Sequence, residues 1–495
     1  MLTRASCVNH AINLLLIDDI VWIWWYDRQG AIQTQGINFV QDLPRFLILL
    51  FAFQRFKLED WGFNTTLDPQ SEVIHCHQKG TGGSRTVADR CFDFPPPGIS
   101  LSEPVQIRIN TGNQVHHIYS LTGRATSVFG GTVCPVAPKT TKRSSKPQGS
   151  GEELAAVDNI KVSTALDGPR EVVVKIYWPG ESHLSEAYIL DVARTLGKEN
   201  PDIIDHLPQL VLSHDFPEYS TGCVREKLGL KPSEGRRPAR ILRLAIFHRL
   251  KPITTLVGEE FMRAWFDCVR CHYALWELGI QHCDPSLSNV MVDENKRGIL
   301  NDWDLATIEG QSTHDGCDRP GTVPFMALDL LRHDYWEGKI KRQYRHDLEG
   351  FLWILPFVSL QYENGDLIRN PPLKSWNTGN YAFCRLLKLG FLDDIEQGSI
   401  LLKMKAIPSY EMEWILCCGI LPSIHKIWSP QSGSAFDLLL DRSAGMKVPE
   451  ESDVKEVPTR EAYLDFWRRV KELANSPRTK KIMPNLWKSV PVGLV

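Results

Sequence analysis

Asp284, Asn289 and Asp302 are the residues of this 495-residue chain whose types and spacing best suit a chemical task. They lie in the stretch His282–Leu305, HCDPSLSNVMVDENKRGILNDWDL, with Asn289 five positions after Asp284 and Asp302 eighteen positions after it. Phosphoryl transfer from a nucleotide needs one carboxylate to orient the attacking hydroxyl and accept its proton. It also needs an amide oxygen and a second carboxylate to hold the Mg²⁺ ions that bridge the phosphates. The three side chains supply that chemistry in that order. A lone HxD or DxD is more often a turn or a helix cap, because Asp and Asn bond readily to nearby backbone. Here the two acidic segments flank Val290-Met291-Val292 and Gly298-Ile299-Leu300, apolar runs either side of a DENKRG turn, and this predicts a β-hairpin between them.

Other elements must hold that stretch in place. Phe261, Trp265, Cys268 and Leu275 follow helical spacing up to Gly279, a suitable C-cap, and deliver Ile280-Gln281 into His282. Upstream, Glu171–Trp178, EVVVKIYW, reads as a strand with Val173 and Lys175 on one face. A lysine on a strand ordinarily faces solvent. The helical pattern SHLSEAYILDVARTL follows, however, with Glu186 in its first turns, and a Lys–Glu pair of this kind positions nucleotide phosphates. Strands are expected at His117–Leu121 and Ser127–Val133, around the turn Gly123-Arg124-Ala125-Thr126. Glycine there lets backbone N–H groups approach phosphate oxygens, although only one of the glycines such a turn calls for is present. Arg240–His248 is a further buried strand, and Leu250–Ile253 is the expected hinge after it. After Asp304 comes an irregular segment, ATIEGQSTHDGCDRP, then GTVPFMALDLL. Arg345-His346-Asp347 next opens the apolar run LEGFLWILPFVSL, read as a central buried helix. Its Asp347 is expected to bond backbone of the 282–284 loop, the alternative being an ordinary N-cap.

Composition sets the bounds. At 43% hydrophobic and 23% charged the chain is globular, and its length calls for more than one core. A net charge of −3 and a pI of about 6.6 give no general attraction to nucleic acid or to an anionic membrane. The twelve cysteines show no disulfide framework or paired metal spacing, so an intracellular, reducing compartment is expected, cytoplasm or nucleus. The lone C-x-x-C of Cys268 and Cys271 reads as two buried thiols. Ala11–Ile17 and Phe46–Phe53 are well short of the roughly 20 apolar residues of a membrane span, so neither secretion nor a transmembrane segment is expected.

The sequence divides into a leader at 1–17, an extension at 18–110, a smaller lobe at 111–253, a larger lobe at 254–440 and a polar tail at 441–495. In the extension, IVWIWWY and AIQTQGINFV flank Asp27-Arg28-Gln29-Gly30, predicting a hairpin. LPRFLILLFAFQRF, capped by Asp42, predicts a helix buried against something, and the aromatic cluster reads as core. Residues 76–104 read as a Gly/Ser/Pro-rich loop, and the basic Ser/Thr/Pro insert at about 138–158 as disordered. The tail shows one amphipathic helix near Glu461–Leu473 and no assignable chemistry.

Taken together, H-x-D with Asn289, Asp302-Trp303-Asp304, GTVPFMA, HDLEGF and the leading WIWWYDRQGAIQTQGINFVQDLPRFLILLFAFQRF resemble the fungal-type protein kinase family, from about residue 18 to about 360. The resemblance implies an α+β, bilobal protein-kinase-like fold, β-rich then helical, with an N-terminal hairpin-helix extension. It implies ATP and Mg²⁺ as cofactors and protein Ser/Thr as acceptor. Asp284 would be the base, Asn289 and Asp302 the metal ligands, Lys175 with Glu186 the phosphate clamp and Gly123 part of the nucleotide cover. Ser286 occupies the place of a lysine that contacts the transferring phosphate. Cys283 replaces an arginine, Asp329 stands for a glutamate, and Trp303-Asp304 departs from F-G. A catalytically weak interaction module and a kinase of small molecules remain open alternatives.

Overall fold

The computed structural model describes residues 8–64, 90–94, 105–117, 122–135, 161–162, 169–230, 237–311, 321–428, 443 and 454–482. Helix and sheet are both well represented, giving the α+β composition expected. The chain separates into two compact units, Met1–His183 with Gln209–Arg249 and Leu184–Pro208 with Leu250–Val495.

The first unit holds two sheets. In the smaller, β2 (Ile20–Asp27) pairs antiparallel with β1 (His10–Ile17), β3 (Ala31–Gln33) and β4 (Ile37–Asn38). The run assigned to a leader therefore contains β1, the longest partner of β2. Asp18-Asp19 is the turn of this hairpin, with Asp18 at φ +52, a backbone state that Asp tolerates. α1 (Leu43–Gln54) is capped by Asp42, which accepts from the Arg45 N–H. Contrary to expectation none of its residues is buried, and Ile48 is 69% exposed. Its rings pack on sequence neighbours instead, Phe53 on Phe56 and Trp61, which ties the segment to itself rather than to a core. The aromatic residues of β2 are half-buried, so they too are less of a core than their density implied.

The larger sheet is antiparallel throughout. It comprises β5 (Arg90–Phe94), β6 (Val105–His117), β7 (Ser127–Pro135), β8 (Lys161–Val162), β9 (Arg170–Tyr177), β10 (Leu210–Phe216) and β11 (Leu242–His248), in the order β5-β6-β7-β9-β11-β10-β8. Period-two alternation puts Val172, Val174 and Ile176 of β9 into one apolar core with Leu242, Leu244 and Ile246 of β11. β6 runs earlier than the strand predicted at His117–Leu121, and 118–121 lie outside the described residues. The stretch 76–104, read as loop, contains β5; the rest of it and the insert at 138–158 also lie outside.

The second unit is mainly helical: α2 (Glu186–Leu196), α3 (Gly258–Glu277), α4 (Tyr344–Gln361), α5 (Tyr381–Glu396), α6 (Glu411–Trp428) and α7 (Thr459–Asn475). Short strands punctuate it: β12 (Lys251–Pro252), β13 (Ile280–Gln281), β14 (Val290–Val292), β15 (Gly298–Leu300) and β16 (Thr307–Ile308). β14 and β15 form the predicted hairpin, and β13 pairs with β16, so both flanks of the acidic stretch are tied down. α4 is buried along almost its whole length. Cys268 and Cys271 are buried thiols, as read. α2 clusters with this unit rather than with the sheet, and so does the tail. Tyr463 of α7 stacks on Tyr273 with ring centroids 3.6 Å apart, and Trp467 packs on Phe266 at 5.0 Å. A helix taken for a peripheral tail is thus part of the core, because its apolar stripe faces α3.

The closest approach is between α3 and β15. A Cβ on Gly298 would lie 1.9 Å from the Ala264 carbonyl oxygen, whereas one on Gly390 in α5 would meet nothing within 4 Å. Gly298→Ala is expected to lower stability by about 1–3 kcal/mol through overpacking. Gly390→Ala should raise it by about 0.4–1 kcal/mol by reducing unfolded-chain entropy. Urea unfolding of the two variants beside wild type measures both.

Candidate active site

The loop that carries Asp284 begins with His282, which is fully buried between β13 and the hairpin. Burial lowers its imidazole to about 4, so the ring is neutral. Nδ1 lies 3.3 Å from the Asp284 N–H, which donates to it, and Nε2–H donates to the Asn301 carbonyl oxygen at 2.9 Å. One ring therefore ties the Asp284 segment to the residue before Asp302. The edge of Trp303 meets the same ring at 4.6 Å.

Asp284 is gripped from two sides. Its Oδ1 accepts the Thr322 N–H at 2.8 Å and its Oδ2 the Thr322 hydroxyl at 3.1 Å. The Asn289 amide donates to Oδ2 at 3.2 Å and to the Asp284 carbonyl oxygen at 2.9 Å. Burial pushes the Asp284 carboxyl up to about 6, the two Thr322 bonds pull it back, and the charge of Asp302 pushes it the same way as burial. Asn289 spends its NH₂ group on Asp284, leaving Oδ1 as its oxygen donor, which receives a 3.3 Å bond from the Ser288 hydroxyl. Ser286 is buried; its hydroxyl is 3.0 Å from that of Ser288 and its carbonyl oxygen accepts the Asn289 and Val290 N–H groups, so it shapes the turn that presents Asn289.

Asp302 and Cys283 both have positive φ, +63 and +67. Such states cost non-glycine residues energy and persist only where the surroundings over-determine them. For Cys283 the surroundings are Asp347, whose Oδ2 accepts the Cys283 N–H at 3.2 Å, and Arg342, which donates to the Cys283 carbonyl oxygen at 2.6 Å. Arg342 also pairs with Asp347 Oδ1 at 2.5 and 2.7 Å, and His272 Nε2 lies 2.9 Å from Asp347 Oδ2. Asp347 thus bonds the loop backbone as expected, and Gln343 is the helix cap. Burial alone would raise the Asp347 carboxyl; Arg342 and His272 outweigh it and hold the group well below the usual carboxylate range. The same burial pushes the Cys283 thiol up to about 12, so it stays protonated and is no nucleophile. On the Asp302 side, Glu186 Oε1 accepts the Trp303 N–H at 2.9 Å, and Trp303 Nε1 donates to Leu300.

Lys175 and Gly123 belong to the first unit. Lys175 is 7% exposed, in register with Val128 and Ala245, and its ammonium lies 4.6 Å from the centre of the Tyr177 ring. A strand lysine held at that cost is not a solvent-facing one. Gly123 has φ +91, and its N–H donates to the Arg28 carbonyl oxygen at 2.9 Å. Sequence reasoning missed Thr322, Arg342 and His272. Thr322 had a signal, since it lies in GTVPFMA; Arg342 and His272 are fixed only by where α3 and α4 meet the loop.

A hard, oxygen-binding cation suits this donor set. Asn289 Oδ1 and the Asp302 carboxylate are two oxygen donors, and Mg²⁺ takes its remaining ligands from phosphates and water rather than from an all-protein cage. Among the described residues no three His, Cys, Asp or Glu side chains gather into a metal site.

The Asp284 loop, the β14–β15 hairpin, Asp302 and the buried helix that carries Asp347 follow one another in the order read from the sequence. Consistently, residues 230–359 match the model of the fungal protein kinase family. The match covers about a quarter of the chain and contains Asp284, Asn289, Asp302, Thr322, Arg342 and Asp347, so this segment is protein-kinase-like. No curated protein matches the chain. No helix among the described residues is long and apolar enough to cross a membrane.

Removing Arg342 would strand the buried Asp347 charge. Arg342→Met is expected to cost about 3–5 kcal/mol at neutral pH, whereas Arg297→Met, at an exposed pair, should cost at most about 1 kcal/mol. A carboxylate with a depressed folded pKa contributes stability above its unfolded pKa of about 4, and that contribution disappears as pH falls below it. The Arg342→Met deficit should therefore shrink below about pH 4, which denaturant titrations across pH measure.

Proposed function

We propose that the chain is an ATP- and Mg²⁺-dependent protein kinase that transfers the γ-phosphoryl group to a Ser or Thr hydroxyl of a protein. The observation that carries this reading is the binding of the Asp284 carboxylate. A carboxylate offers about four lone-pair sites, and Thr322 and Asn289 fill three of them. The remaining one is directed by those three bonds, so an acceptor hydroxyl placed there is oriented and its proton has a base. Mg²⁺, when bound through Asn289 and Asp302, neutralises phosphate charge. Lys175 is assigned to the phosphates, and Glu186 fixes the backbone next to Asp302. Ser286 leaves the transferring phosphate without the lysine that many kinases place there, so the rate is expected to be modest. These roles rely on positioning and electrostatics, the two terms that dominate phosphoryl transfer.

A second reading, a non-catalytic interaction module, draws support from the 122–126 turn, in which Gly123 is the one glycine, and from Cys283 in place of an arginine. Kinetics separate the two. Asp284→Asn should keep nucleotide binding and lose about 10²–10⁴-fold in turnover, the usual cost of a general base. Asp302→Asn should lose Mg²⁺-dependent nucleotide binding in calorimetry. Wild-type kcat/KM should rise with pH through about 6 as Asp284 ionises. Full turnover by Asp284→Asn protein would contradict the assignment of the base.

A further inference from the structure

We propose that the Asp27–Gly30 tip of the N-terminal hairpin positions the 122–126 turn for nucleotide phosphates; the proposal rests on the kinase reading above. The tip is built around one carboxylate. Asp27 is 2% exposed. Its Oδ1 accepts the Gln29 and Gly30 N–H groups at 2.9 and 3.0 Å, closing the turn, and its Oδ2 accepts Trp25 Nε1 at 2.9 Å. Arg225, from the helix Thr221–Lys227, then grips both oxygens at 2.5 and 3.0 Å. The Gln29 side chain reaches the same neighbourhood, accepting from the Thr221 hydroxyl at 2.9 Å and donating to the Arg237 carbonyl oxygen at 2.8 Å. A tip locked by so many directional bonds presents its backbone in one orientation.

That backbone meets the turn. The Arg28 carbonyl oxygen accepts the Gly123 N–H at 2.9 Å, and Arg237 donates to the Thr122 hydroxyl. Gly123 can aim its N–H there because its φ of +91 is open to glycine. The far side of the turn is fixed by the Trp178 N–H, which donates to the Arg124 carbonyl oxygen at 2.7 Å, three residues beyond Lys175. The turn is thus strung between the hairpin tip and the strand that carries the phosphate lysine. The apolar core of the seven-stranded sheet draws no side chain from residues 8–64. Loosening the tip should therefore release the turn while leaving that core intact.

The test uses the full-length chain, with Asp27→Asn and Arg225→Met each breaking the buried pair. Hydrogen exchange reads the 122–126 amides against those of β9 and β11, and calorimetry reads affinity for ATP with Mg²⁺. The expected result is faster exchange confined to the turn and an affinity about tenfold weaker, a loss of about 1.4 kcal/mol. Asp42→Ala, which uncaps α1 away from the tip, should change neither. Protection lost across the whole sheet would show a merely structural tip and overturn the proposal. So would a loosened turn with unchanged affinity, or variants that behave as wild type. Wild-type protein that binds no nucleotide would overturn the kinase reading instead, and that result is seen before any variant is compared.

Discussion

The buried carboxylate of Asp347 is the constraint on which the site depends. Cys283, in the loop that carries Asp284, sits at a backbone angle that an L-residue resists. The angle persists because Asp347, projecting from the buried helix α4, accepts the Cys283 N–H while Arg342 holds the Cys283 carbonyl. Asp347 can remain ionised there because Arg342 and His272 surround it. Removing either the charge or its partners would leave an unpaired group in a dry interior, which costs more than the strain it supports. The helix is therefore the anchor, and the loop is the part under tension.

From that anchor the site extends through neutral His282 to Asn301, and from Glu186 to the Trp303 N–H, so the backbone is held on both sides of Asp302. Thr322 closes the arrangement by taking up Asp284 from the opposite side of the chain's course. On the proposed kinase reading, a base oriented by fixed dipoles would need no rearrangement during reaction, which is how electrostatic preorganisation lowers a barrier. The upward shift of the Asp284 carboxyl, which makes it a weaker acid, follows from the same enclosure.

Much of this was legible in the sequence. The β14–β15 hairpin could be read because residue type and spacing encode local structure, which also singled out Asp284 and Asn289 as candidates, and the Asp347 bond to the 282–284 loop was expected from its place at the head of an apolar run. Lys175 could be read only through its context, since strand periodicity gives a face but not its burial. The failures have one cause. β1, the exposure of α1 and the incorporation of α7 into the core are decided by which distant surface each apolar stripe meets, and composition carries no address. Arg342 and His272 escaped notice for the same reason: their value lies wholly in three-dimensional placement around Asp347. The Gly123 turn was visible, whereas its partner Arg28, ninety-five positions earlier, was not.

The central claim is that these side chains form a metal-dependent nucleotide site, and a thermal melt tests it most directly. The purified chain would be melted alone, with Mg²⁺, with ATP, and with both. Ligand at about 100 times its dissociation constant adds roughly 2.7 kcal/mol to the folded state. The account predicts a rise of several degrees with ATP and Mg²⁺ together and little with either alone. A melting temperature unmoved by the pair would contradict it.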